Sequence, residues 1–227
     1  MNQYILRAAF PSLSLEFSDD WEDRASMPSK AFVYDRVVFA DRAAAMRGGR
    51  FFITGRSASE PFALPASPAW WSTIRSNVVE FAGARKDIGS GTRHTPVLTY
   101  ISRQEWGRRM LRKEDHEKLV AALERLRDTY GYEVNIVSMD KLTREEQIKL
   151  ASRTTVRALL ALVDHQLKLS GQILMGVHGN GLTALLWMQP TPRSTVIEFF
   201  FPGGFAYDYE FTARGIGIAH YGFWGGQ

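Results

Sequence analysis

Ile173-Leu174-Met175-Gly176-Val177-His178-Gly179-Asn180-Gly181-Leu182-Thr183 runs from an apolar segment through a glycine turn toward apolar Leu185-Leu186-Trp187. The pattern reads as strand, turn, helix. Glycines in such a turn accept positive φ and let the backbone come close to a ligand, and the unpaired N–H groups at the start of the following helix attract an anion. A nucleotide phosphate suits that position. The spacing is neither the dinucleotide-binding glycine fingerprint nor a phosphate loop ending in Gly-Lys, so on the glycines alone an ordinary tight turn is equally open.

The flanks of the turn supply its setting. Residues 96–101 form a short apolar run fit for a buried strand, and Leu119, Val120, Leu123 and Leu126 recur at helical intervals within 114–130, where Gly131 ends the helix. Residues 133–138 read as the next strand, and Thr143 with Glu146 three positions on reads as a capping box opening another helix. After the glycine turn come a helix to Met188, a strand over 195–199, a helix over 207–214 and a strand over 218–221. The order βαβαβαβαβ predicts an α/β fold. It implies a Rossmann-like parallel sheet with helices on both faces and ligands at the carboxyl ends of the strands.

The first 90 residues are of a different character. Phe32-Val33-Tyr34, Val37-Val38-Phe39 and Phe51-Phe52-Ile53 read as strands, Asp41 as the cap of a short helix through Met46, 55–70 as loop, and 70–81 as a helix stopped by Gly83. The expected division is 1–90, a partial amino-terminal region with a linker helix, and 91–227, the nucleotide-binding domain.

Composition narrows the function classes. A chain of 227 residues with 45% hydrophobic and 23% charged residues has the material for a core and argues against disorder. No stretch is long and uncharged enough to cross a membrane, and Met1-Asn2-Gln3-Tyr4 does not begin a secretory signal. Zero cysteines exclude disulfides and thiolate metal sites. A net charge of +4, with 21 Arg against 7 Lys, suits an anionic ligand read by guanidinium groups, although most of these arginines read as a solvated basic surface. The arginines are dispersed and no RNA-recognition or helix-turn-helix signature occurs, so no nucleic-acid partner is expected.

Three positions at strand ends carry candidate chemistry. Residues 97–100 lead into Ser102-Arg103 and Gly107-Arg108-Arg109, which places three guanidiniums in one loop where phosphate recognition or pairing with Glu105 or Glu114 would occupy them. His178 lies in the glycine turn, able to donate to a phosphate or to transfer a proton, or to serve only the structure. Glu198 follows Val196-Ile197, where a carboxylate in nucleotide-binding sheets accepts from ribose hydroxyls; a surface glutamate is the plain alternative. Asp208 and Tyr209 are further, weaker candidates. No acidic pair has metal-ligand spacing, so no metal site is expected.

Taken in order, Tyr100-Ile101-Ser102-Arg103, Gly107-Arg108-Arg109, Gly131-Tyr132-Glu133-Val134, Gly176-Val177-His178-Gly179-Asn180-Gly181-Leu182-Thr183, Leu185-Leu186-Trp187-Met188 and Val196-Ile197-Glu198 resemble glycosyltransferase family 61 over about residues 95–224. The resemblance implies the donor-binding half of a two-domain GT-B enzyme, in a carboxyl-terminal fragment. It implies inverting transfer from a UDP-sugar, N-acetylglucosamine or xylose, to a hydroxyl of a protein or glycan acceptor, with no cofactor beyond that donor substrate. It further implies a Golgi or endoplasmic reticulum location behind an amino-terminal membrane anchor that this chain lacks. Carried over, Arg103 with Arg108 and Arg109 would hold the diphosphate, together with backbone N–H groups of Gly179, Asn180 and Gly181. Glu198 would take the ribose. The base that deprotonates the acceptor is not identified, with His178 a weak candidate. A catalytically inactive nucleotide-sugar-binding remnant is the alternative.

The chain departs from the family pattern at Ala184, where many members have His, and in its shorter amino end. It also carries Val156 to Gln172 between Arg153-Thr154-Thr155 and Ile173. These seventeen residues read either as a retained intron, whose removal would join Thr155 to Ile173 in frame, or as a translated helical insertion.

Overall fold

The computed structural model describes residues 3–39, 59–84, 96–153 and 171–225. The chain divides into two compact units, Met1–Arg56 and Ser57–Gln227. In the first, the described helices are α1 (Gln3–Ala9) and α2 (Ser18–Ala25), the latter opened by an Asp20 carboxylate that accepts the Phe17 N–H at 2.6 Å. The strands expected at 32–34 and 37–39 are not formed: residues 31–39 contain no strand, and Val33, Val38 and Phe39 are 90%, 81% and 90% exposed. An apolar triplet becomes a strand only when another strand meets its backbone groups. The helix expected over 41–46 and the strand over 51–53 lie outside the described residues.

The second unit holds the sheet. Its strands are β1 (Val97–Ile101), β2 (Glu133–Val137), β3 (Gln172–Val177), β4 (Thr195–Phe200) and β5 (Ala219–Trp224), all parallel in the order β2-β1-β3-β4-β5. The described α-helices are α3 (Ser72–Phe81), α4 (Lys113–Tyr130), α5 (Arg144–Ser152) and α6 (Asp208–Gly215). This is the Rossmann-like α/β architecture that the alternation predicts, in one of the two common doubly wound strand orders.

Register decides which side chains form each layer. Leu98 lies beside Val134 and Ile173, and Tyr100 beside Ile136 and Met175, so these alternate residues point to one face together. There Leu98, Tyr100, Val134 and Met175 pack with Leu123 of α4 into a buried core. The opposite face carries Leu174 and Val196, both fully buried, under α5, α6 and the segment after the glycine turn. Burial on both faces accounts for the nearly continuous apolar runs of β1 and β3.

The segment after the turn is a 3₁₀ helix, Asn180–Trp187, where an α-helix was expected. Leu182, Leu185 and Met188 recur every third residue and are all buried, and a helix of three residues per turn stacks them in one row. Upstream, the indole N–H of Trp71 donates to Leu186 O at 3.0 Å and that of Trp70 to Gly215 O at 2.9 Å. These contacts tie α3 and the turns before it to the 3₁₀ helix and to the end of α6. They explain why the compact units part between Arg56 and Ser57 and not near residue 90.

The C-terminal end of α4 and the N-terminal end of α5 follow from local chemistry. Gly131 ends α4 at φ 66°, a conformation that costs a residue with a Cβ, and its N–H donates to Arg127 O at 2.9 Å. At α5 the capping box forms: Thr143 Oγ1 accepts from the Glu146 N–H at 3.2 Å, and Glu146 Oε2 accepts from the Thr143 N–H at 2.8 Å. Replacing Thr143 by Ala is expected to cost about 1 kcal/mol in urea unfolding. These bonds, the backbone one first, hold the Glu146 carboxyl below its ordinary 4.5, so the cap stabilises fully above pH 4.5 and is lost as pH falls through the lower folded-state value.

Of the segment set apart in the sequence, 156–170 lies outside the described residues, whereas its last position does not. Gln172 is the first residue of β3, paired with Val97, and its buried amide donates to Leu150 O at 3.4 Å. A Cβ at Gly171 would lie 2.5 Å from the Arg193 carbonyl oxygen. Joining Thr155 to Ile173 would bring Thr154 and Thr155 to these two positions.

Candidate functional site

β1 and β3 are neighbours, but the chain leaves them in opposite directions, to β2 on one side and toward β4 on the other. Their following loops therefore diverge and open a crevice at the carboxyl edge, which is where doubly wound sheets bind ligands. The loop after β1 supplies Arg103 and the loop after β3 supplies His178 and Gly179.

Arg103 is the informative side chain. It is 7% exposed, its guanidinium carbon lies 4.7 Å from the ring centre of Trp106, and its Nε has no hydrogen-bond partner among the described residues. Among those residues no carboxylate makes an ion pair with it. Burial first, then the charges of Arg109 and Arg108, push its pKa below the usual arginine value. A guanidinium stays charged in proteins all the same, so a buried cation without an anion is left at the crevice.

Gly179 is shaped around that cation. Its φ is 152°, and a Cβ there would collide with Arg103 Nη1. The glycine thus serves close approach as well as the turn. Next to it, Asn180 Oδ1 accepts from Thr183 Oγ1 at 3.1 Å, and the leading N–H groups of the 3₁₀ helix have no partner within the helix. Ser102, Arg103, Trp106, Asn180 and Gly181 line a recess of about 180 Å³ at this edge, with the Asp140 carboxylate also on its wall. Arg103, Gly179, Asn180 and Gly181 are therefore brought together as a set.

Arg108 and Arg109 stand apart from that set. Both are exposed, and no described carboxylate pairs with either, since Glu105 pairs with Lys141 at 2.6 Å. They reach Arg103 through their charge alone. Arg109, at φ 51°, faces a separate and larger cleft.

Glu198 requires a correction. It is fully buried, and both carboxylate oxygens are engaged: Oε1 with His178 Nδ1 at 2.5 Å and Oε2 with His220 Nε2 at 2.8 Å. A carboxylate with both oxygens committed inside the fold does not present them to a ribose. Its neighbour Gly222, opposite it on β5, leaves room on that face, and His220 lies one step away opposite Val196. Reading the sequence did not single out His220. The only signal was a polar residue alternating with Ile218 in an apolar strand, and its partner is fixed by register across β4 and β5.

The His178 ring is held on three sides. Besides Glu198, it stacks on Phe200 at 5.6 Å and meets Tyr209 edge-on at 5.7 Å. Burial raises the Tyr209 pKa above the ordinary value. Tyr209 thus joins the site, and Asp208 remains in the first turn of α6. His178 Nε2 has no partner among the described residues, and its side chain, 24% exposed, borders the larger cleft of about 820 Å³. Among the described residues no group of three His, Asp or Glu side chains converges as metal ligands.

No known family model matches the chain, and no curated protein matches it significantly.

Proposed function

We propose that the second unit is the donor-binding half of an inverting glycosyltransferase of the GT-B type, which moves a sugar from a UDP-sugar, N-acetylglucosamine or xylose, to a hydroxyl of a protein or glycan. The observation that carries this reading is the buried, unpaired Arg103 against Gly179 at the sheet's switch point. A diphosphate would supply the missing anion, accept from the guanidinium and from the N–H groups of Gly179 to Gly181, and occupy the adjoining recess. The same donors would stabilise the charge that develops on the departing nucleoside diphosphate. Arg108 and Arg109 would add attraction at longer range, screened by salt. The proposed setting is the lumen of the secretory pathway, as in the family that the motifs resemble.

Calorimetric titration tests the reading with UDP, uridine and GDP. UDP should bind roughly a hundredfold more tightly than uridine, from two charge-assisted hydrogen bonds of about 1.5 kcal/mol each. Equal binding of UDP and uridine, or no binding of UDP to folded protein, would refute it. Gly179→Ala should remove the preference for UDP, because its methyl group displaces the guanidinium.

A further inference from the structure

We infer that the larger cleft is the acceptor site: it takes a neutral sugar ring, stacked on its aromatic side chains, and turns one hydroxyl toward His178 Nε2 as the base. This rests on the donor reading above. The cleft holds about 820 Å³, and Phe200, Phe205 and Trp224 form its cluster with ring centres 5.1–6.0 Å apart. Phe201 and Phe223 stand exposed at its border. Arg109 and Arg112 also border it, with Asp115 beside them. Such walls fit a ligand with apolar C–H faces and polar edges, which is what a pyranose ring offers.

The base assignment follows from hydrogen-bond direction. With Glu198 accepting on both oxygens, His178 donates from Nδ1 and His220 from Nε2, so the lone pair of His178 sits on Nε2, the ring nitrogen left open on a side chain that borders the cleft. Glu198 is the positioning residue that selects this tautomer, and His220 holds Glu198 in place; His178 would touch the acceptor. In the transfer, Nε2 takes the hydroxyl proton, the hydroxyl oxygen bonds to the anomeric carbon, and the bond from that carbon to the phosphate oxygen breaks. The electron pair leaves with the nucleoside diphosphate, and the proton remains on His178.

Two readouts on the full chain test this. Long-range ¹H–¹⁵N spectra of the imidazoles should show His178 protonated on Nδ1 and His220 on Nε2; a His178 protonated on Nε2 alone would overturn the base assignment. Then, with UDP present, the methyl glycosides of xylose, glucose, galactose and mannose are titrated at high millimolar concentration. At least one should shift the His178 Nε2 and Trp224 indole resonances, and Phe201→Ala should weaken that response severalfold at unchanged UDP affinity. If UDP binds but no glycoside moves these signals, the acceptor site is refuted and the donor reading stands. If glycosides move them but UDP does not bind, the sugar cleft survives and the donor reading fails.

Discussion

Arg103→Met should lower UDP affinity about a hundredfold and leave the urea midpoint unchanged or raised. The two effects have one cause. The Nε of this guanidinium has lost water and gained no hydrogen-bond partner, and an apolar side chain of similar length removes that penalty while keeping the contact with Trp106. Loss of two charge-assisted hydrogen bonds to a diphosphate amounts to about 3 kcal/mol of binding, or two orders of magnitude. Function and stability then move in opposite directions, as expected of a residue kept for its ligand. If Arg103 serves only the structure, the substitution lowers the midpoint and leaves UDP binding as it was. Urea unfolding and calorimetry on the same preparation decide between these.

Glu198→Ala should have the opposite profile, with a loss of about 3 kcal/mol or more in unfolding free energy. Its carboxylate is fully buried between two histidines, so truncation leaves both rings without the group that they face and opens a space beneath α6. A glutamate exposed for ribose binding would cost less than about 0.5 kcal/mol on the same change. Denaturant titration read by tryptophan fluorescence therefore separates the buried triad from the ribose role that the strand position suggested.

The contrast shows what could be read from the residues. β1, α4, β2, α5 and β4 are legible because apolar period, caps and stop residues agree locally: Thr143 with Glu146 begins α5, and Gly131 ends α4. The parallel sheet follows from their alternation. The closeness of the glycine turn to Arg103 is legible because both stand directly after apolar strands. What was not legible depends on partners distant in the chain. Val33 and Val38 look like strand residues but stay exposed, and only a pairing strand would have changed that. Leu182, Leu185 and Met188 fit both a 3.6 and a 3.0 period over so short a run, and packing chose the tighter helix. His178, Glu198 and His220 come from three strands or their ends, and a slip of one residue in register would put His220 on the other face. Glu198 therefore stands on the expected strand but is buried.

The most direct test of the central claim is to follow the backbone amide resonances of the ¹⁵N-labelled chain during titration with UDP. The account predicts that the signals of Gly179, Asn180 and Gly181 and the Nε–H of Arg103 move most as binding saturates, and that Arg103→Met abolishes the shifts. Saturable UDP binding that leaves these four signals in place and moves others would contradict it.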